Sequence, residues 1–361
     1  MAHVIDETMN KVELPHLVFN ITNVCNFNCS DCQTFSNFNF TGHQKWNDYK
    51  EIYTKWAKLI NPKALMILGG EPLLNPTFDH WVTGITEIWP NAILEVSTNG
   101  STIKAKNQKL YDLFSKIEAE VIINVQLHNK SRREESVNML LNWLHKPVEI
   151  TEYNDMVNIK DLEADWLKTY SIIKADSWPT CNSFDDWNLL NNEIKEECIT
   201  IFKMTPPPDI LDDSMGVKLV DKNNITVVVQ NSNHFAKSSL IPLDNRQHFK
   251  LHNSNPVLAH DVCISKLCAS MNQGKFYKCH QVAHFHEFDQ QFSILLDNEE
   301  DRKLLYSYKP ATSDMSLAEF QEFKDNLDKP IPQCKFCPET LDHIVLEAQA
   351  KKIVFHKKKN I

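Results

Sequence analysis

The residues of this 361-residue chain best suited to chemistry are its cysteines, and they are grouped. Three of the ten fall within eight residues, in Asn23-Val-Cys25-Asn-Phe-Asn-Cys29-Ser-Asp-Cys32. Five more lie between 263 and 337, at Cys263, Cys268, Cys279, Cys334 and Cys337. Cys181 and Cys198 stand alone and read as ordinary buried thiols. In a reducing compartment, clustered thiols are metal ligands before they are disulfides. Three thiolates this close can wrap one face of a metal centre. A closed tetrahedral zinc site needs a fourth ligand. A [4Fe–4S] cluster usually takes four cysteines, so with three one iron stays open to an outside ligand. Spacing alone does not name the metal.

The elements that must position these thiols follow from hydrophobic periodicity. Strands are expected at His16–Thr22, Ala64–Gly69, Ala92–Thr98 and Glu120–Leu127, with another beginning in Pro147–Tyr153. Helices are expected at Gln44–Ile60, Phe78–Trp89, Leu110–Ile117 and near Glu134–Leu144. Apolar strands alternating with amphipathic helices imply an α/β fold around a parallel sheet. Ligands of such sheets bind at the carboxyl ends of the strands. The first cysteines directly follow the first strand. Gly69-Gly70-Glu71-Pro72 ends the second, Ser97-Thr98-Asn99-Gly100 the third, and Gln126-Leu-His128-Asn129 the fourth. Glycine lets a backbone approach closely. The chain has only 7 glycines, and Gly69, Gly70, Gly100 and Gly274 all fall in these segments or in the later cysteine region.

Past residue 154 the pattern blurs. Val217–Val220 and Ile225–Gln230, joined by DKNN, read as a hairpin. Cys263 and Cys279 bracket a second hairpin turning at Asn272-Gln273-Gly274, and an amphipathic helix is expected near Thr340–Lys352.

The C-x3-C-x2-C spacing after the first strand, followed by GGE and TNG at the next two strand ends, resembles the radical S-adenosylmethionine (SAM) superfamily. The resemblance implies a partial (β/α)6 barrel with a SAM-binding [4Fe–4S] cluster on Cys25, Cys29 and Cys32. SAM chelates the open iron, and its reductive cleavage gives a 5′-deoxyadenosyl radical that abstracts hydrogen from a substrate carbon. It also implies SAM contacts at Gly69, Gly70, Glu71, Thr98, Asn99 and Gln126, with Arg132 or Arg133 pairing the SAM carboxylate; Arg133 is taken here. His128 stands where relatives carry an acid, and is a candidate substrate or SAM contact. Asp31 stands where relatives often carry an aromatic or apolar residue.

The layout C-x10-G-x4-C, then C-x2-C, resembles the twitch domain, the shortened SPASM extension. It implies a small C-terminal α+β unit holding a second, auxiliary [4Fe–4S] cluster on Cys263, Cys279, Cys334 and Cys337. Cys268 is an alternative to Cys263, and a four-cysteine zinc ribbon is the competing metal assignment. The implied organisation is a barrel over 1–260, with 154–255 an insertion candidate, an auxiliary-cluster domain over 261–338, and a C-terminal helix and basic tail over 339–361.

Composition bounds the partners. Hydrophobic residues make up 42% and charged residues 24%, an ordinary balance for a globular chain. No apolar run approaches the roughly 20 residues of a membrane helix. The start MAHVIDETMNK is polar and lacks a signal-peptide pattern, so a cytoplasmic location is expected. The net charge of −9 argues against a broad grip on nucleic acid. The tail lysines, Lys351, Lys352, Lys357, Lys358 and Lys359, read as a solvated basic end. The resemblance therefore implies an oxidoreductase or maturase with an external electron donor of flavodoxin or ferredoxin type. Its expected substrate is a peptide or protein; alternatives are a small molecule, or a nucleotide or tRNA. A non-enzymatic zinc or iron–sulfur scaffold is the alternative outside enzymology.

Overall fold

The computed structural model describes residues 11–29, 31–103, 107–127, 139–140, 143–144, 149–154, 215–220, 225–231, 234–236, 238–243, 248–263, 265, 269–293, 298–340 and 343–345. The chain is mixed α/β around a mostly parallel sheet, consistent with a partial radical SAM barrel. Strands β1 (Val12–Asn20), β2 (Ile60–Leu68), β3 (Ile93–Thr98) and β4 (Val121–Leu127) run parallel in that order.

Beyond β4 the order departs from a simple series. The chain leaves β4 for β5 (Glu149–Asn154) and β6 (Met215–Val220), then returns as β7 (Ile225–Asn231). It is β7 that pairs parallel with β4, while β6 and β5 continue outward antiparallel. The expected strand after Pro147 thus exists, but as an antiparallel edge. The expected DKNN hairpin is β6–β7. Two short antiparallel pairs follow. β8 (His234–Ala236) pairs later with β13 (His343–Val345), and β9 (Leu240–Leu243) pairs with β10 (His248–Leu251). The helix expected near Thr340–Lys352 is corrected in part. His343–Val345 is a strand, because β-branched Ile344 and Val345 suit a ladder and β8 offers an edge.

The helices cover the outer face. In α1 (Trp46–Leu59), Trp46, Tyr49, Ile52, Tyr53 and Trp56 recur at helical spacing and point at the sheet. α2 (Phe78–Ile88) adds Phe78, Trp81, Val82 and Ile85, and α3 (Asn107–Phe114) adds Leu110 and Phe114. Phe19 of β1 lies among the rings of Tyr53, Trp81 and Trp89. Full burial of each such side chain stabilises by about 1.5–3 kcal/mol. This packing uses the outward residues of β1–β4 and leaves alternate residues facing the inner side.

The other edge of the sheet is closed from far along the chain. After α4 (Pro256–Asp261), the hairpin β11 (Ser270–Asn272) and β12 (Lys275–Tyr277) adds to β1, with β11 parallel to it. Helices α5 (His280–Phe292), α6 (Glu299–Ser307) and α7 (Leu317–Lys324) follow, then a 3-10 turn over Pro332–Phe336. A second core forms here from Phe35, Phe38, Phe40, Phe285, Phe288 and Phe336. Among the described residues, no helix is long and apolar enough to cross a membrane.

Candidate metal and SAM site

The loop after β1 carries Cys25, Cys29 and Cys32, each partly exposed. Its path is fixed by the end of β2. Gly70 donates its N–H to the Thr22 carbonyl at 2.8 Å, and Glu71 donates to the Val24 carbonyl at 2.8 Å. That contact is so close that only glycine fits. A Cβ on Gly69, whose φ is +155°, would lie 2.3 Å from the Thr22 oxygen, and one on Gly70 2.4 Å from the Val24 oxygen. The backbone these glycines approach is therefore the chain's own, one to three residues before Cys25.

Glu71 is fully buried. Its Oε1 accepts from Thr98 Oγ1 at 2.7 Å and from the Leu73 N–H at 3.1 Å; its Oε2 accepts from the Asn99 N–H at 2.8 Å. A carboxylate offers about four lone-pair sites; two of these contacts tie the end of β2 to the end of β3, and the third caps the turn at Leu73. The Asn99 side chain continues the tie. Its Nδ2 donates to Asn26 Oδ1 at 2.9 Å and approaches Cys25 Sγ at 3.9 Å. Gly100 takes a left-handed φ of +72° and returns its N–H to Thr98 Oγ1 at 3.0 Å. GGE, TNG and the cysteine loop are thus one hydrogen-bonded unit. Gln126 sits half-buried at the end of β4, while His128, Arg132 and Arg133 lie outside the described residues.

The three thiols share one neighbourhood. Cys25 and Cys29 are both pushed up to about 12, by burial first; Cys32 adds to both, Glu71 to Cys25 and Cys25 to Cys29. The Phe27 N–H donates to Cys25 Sγ at 3.3 Å and opposes that shift. Cys32 Sγ lies 3.3 Å from Thr34 Oγ1.

The later cysteines also meet. Cys279, the N-cap of α5, is pushed up to about 12 by burial, with Cys263 and Cys334 adding to it. Burial, then Cys279 and Cys263, push Cys337 well up as well; Ser239 Oγ lies 3.4 Å from its sulfur. The structure therefore brings together Cys263, Cys279, Cys334 and Cys337, from three separate stretches of backbone. Cys268, Cys181 and Cys198 lie outside the described residues. Among the described residues, no three His, Cys, Asp or Glu side chains are grouped as ligands of a single metal ion. Burial and neighbouring thiols disfavour the thiolate in both groups, so ionised thiols there would need a cation beside them.

Some candidates were not visible in motifs. Glu95 of β3 faces inward, with His16 Nε2 at 3.8 Å and Asn124 Nδ2 at 3.5 Å. A charged residue in the apolar run AILEVST was the available signal. His284 of α5 is fully buried, with neither ring nitrogen hydrogen-bonded, and burial holds its pKa down at about 3. Helix α5 itself links the two thiol groups. It starts at Cys279, its Gln281 Nε2 donates to Gln33 Oε1 at 2.8 Å, and its Glu287 accepts from Asn23 Nδ2 at 2.9 Å.

Residues 19–182, somewhat under half of the chain, match the family model of the Radical SAM superfamily. The GTP 3′,8-cyclase of Nautilia profundicola is 28% identical over 110 residues, covering 30% of this chain and 34% of that protein. That of Sulfurimonas denitrificans is 28% identical over 99 residues, covering 27% and 31%. The match thus spans about a third of the length of these relatives. Among solved structures, BtrN in complex with AdoMet and 2-DOIA is similar at 14% identity and a TM-score of 0.36, covering 91% of this chain and 94% of that one. Streptococcus suis SuiB bound to S-adenosylmethionine is similar at 15% identity and a TM-score of 0.23, covering 44% and 46%. At these TM-scores neither likeness bears on ligand or reaction.

Proposed function

We propose that the chain is a radical SAM enzyme with a second, auxiliary iron–sulfur cluster of twitch type, and that it modifies a peptide or protein. The observation that carries the first part is the Glu71 tie, which holds two strand ends and the cysteine loop in one rigid unit. Cys25, Cys29 and Cys32 would hold the SAM-binding cluster, and Cys263, Cys279, Cys334 and Cys337 the auxiliary one. When bound, the first cluster and SAM supply a 5′-deoxyadenosyl radical able to take hydrogen from carbon.

The chain's own residues do the positioning. Gly69 and Gly70 let the β2 end lie against Thr22–Val24, which sets the start of the cysteine loop. Asn99 offers its amide to Cys25 Sγ, a donor that favours the thiolate. Glu71 has at most a fraction of its acceptor capacity left for a SAM ammonium, so the Gly69 and Gly70 backbone carries the larger share of that contact. Gln126 and Arg133 are assigned to SAM on the resemblance alone. A flavodoxin- or ferredoxin-type donor would reduce the site.

The test is anaerobic reconstitution with iron and sulfide. About eight irons per chain, four for each of two cubanes, and 5′-deoxyadenosine from SAM with dithionite are expected. Cys25→Ala abolishes cleavage, whereas Cys337→Ala largely spares it. If both variants still cleave SAM, the first site is misassigned. The peptide class rests on the resemblance to twitch and SPASM enzymes. A short peptide encoded beside the gene is expected to change mass as 5′-deoxyadenosine accumulates.

A nucleotide substrate is the second reading, favoured by the GTP 3′,8-cyclases among the relatives. It predicts that a purine nucleotide, and no peptide, stimulates SAM cleavage.

A further inference from the structure

Lys278 directly follows β12 and immediately precedes Cys279. It is only 4% exposed, where lysine is almost never found unless paired. Its ammonium donates to the Leu327 carbonyl, and its backbone N–H donates to Tyr308 Oη at 3.0 Å. The carbonyl is a neutral partner and does not balance the charge. The groups facing that ammonium are the sulfurs of Cys279, Cys334 and Cys263, and one carboxylate, Asp328, which is solvent-exposed and acts on it less than any of the three. Around neutral thiols a buried ammonium is uncompensated. Around thiolates carrying a net negative metal group it is the complementary charge.

We propose that Lys278 is the built-in counter-charge of the second site, where it raises the reduction potential of a four-cysteine iron–sulfur cluster. This rests on the two-cluster reading above. Cluster potentials follow net charge, hydrogen bonding and exposure. A fixed cation beside the thiolates stabilises the reduced form, which carries one more negative charge. The direction is therefore upward, and it depends on the charge of residue 278 rather than on its hydrogen bond.

Two variants separate charge from hydrogen bond. Lys278→Gln keeps a donor for the Leu327 carbonyl and removes the charge; Lys278→Arg keeps both. Each full-length protein is reconstituted, its iron counted, and its clusters titrated anaerobically by electron paramagnetic resonance. Wild type and both variants are expected to hold about eight irons. In Lys278→Gln the second cluster's midpoint falls by a tenfold change or more in the oxidised-to-reduced ratio, 59 mV for one electron. Lys278→Arg stays near wild type, and the first cluster is unchanged. Selective loss of four irons from Lys278→Gln, with Lys278→Arg intact, supports the same counter-charge role. An unshifted midpoint in Lys278→Gln, or equal shifts in both variants, overturns it and leaves Lys278 a loop tie. About four irons in wild type, or zinc at the second site, would instead overturn the two-cluster reading.

Discussion

Glu71 shows how a motif's letters and its work can differ. The sequence presents a carboxylate next to two glycines, which matches a ligand-binding turn. In the fold that carboxylate accepts from Thr98, Asn99 and Leu73 and is sealed from solvent. Glu71→Gln puts an amide donor among three donors, and we expect a loss of about 1–3 kcal/mol, read as a lower melting temperature. SAM affinity, measured by calorimetry, should weaken with it; unchanged stability would mean the tie is dispensable. Gly69→Ala forces a Cβ onto the Thr22 carbonyl, with an expected cost of roughly 2–4 kcal/mol and poor iron loading at the first site. The position of GGE was legible in the sequence, since strand periodicity puts it at a carboxyl end. Its closest partner was not, because no spacing rule reports that Thr22–Val24 crosses it. Lys278 and Glu95 escaped for a related reason: exposure and facing are tertiary properties, and each is one charge in an ordinary run.

At the scale of elements, the β11–β12 hairpin depends on a helix more than 200 residues earlier. The Trp56 indole donates to the Gly274 carbonyl at 2.9 Å, and the Gly274 N–H donates to Tyr53 Oη at 3.3 Å. These bonds hold the turn that leads to Cys279. Trp56→Phe removes a buried donor at a cost of about 1–3 kcal/mol. Iron should be lost from the second site before the first, as counted by iron release on mild heating. Equal release from both sites would show that the hairpin is held by other contacts. Local pattern was enough for β1–β4, for α1 and α2 and for both hairpins, because each has a clean period and turn signal. It was not enough for β7, which takes the place beside β4 through a long-range pairing, nor for β13, where three residues join a distant edge instead of a helix.

At the scale of the whole molecule, two thiol groups are carried in a chain of net charge −9. Cys25, Cys29 and Cys279 are each pushed up to about 12 from 9.0 by burial first. The folded apoprotein holds these protons more tightly than the unfolded chain does. The stabilisation is complete below about pH 9 and is lost as pH rises from there towards 12. Apoprotein melting temperature should therefore fall steeply in that window, and the iron-loaded protein should not follow it. Loading must displace about one proton per thiol ligand, so apparent iron affinity should rise with pH, as measured in chelator competition. Affinity independent of pH would mean that the thiols are ionised before iron arrives. The cysteine spacing announced both groups. That they share a connecting helix was not in the spacing.

That shared helix has a consequence for damage. Phe35, three residues after Cys32, stacks on Phe285 of α5 at 5.6 Å, and Phe285 meets Phe336, between Cys334 and Cys337, at 6.1 Å. On the two-cluster reading, oxygen attack on one metal group would loosen the helix that steadies the other. In air the protein should fail as a sequence, the second injury following from the first, rather than as two unrelated losses.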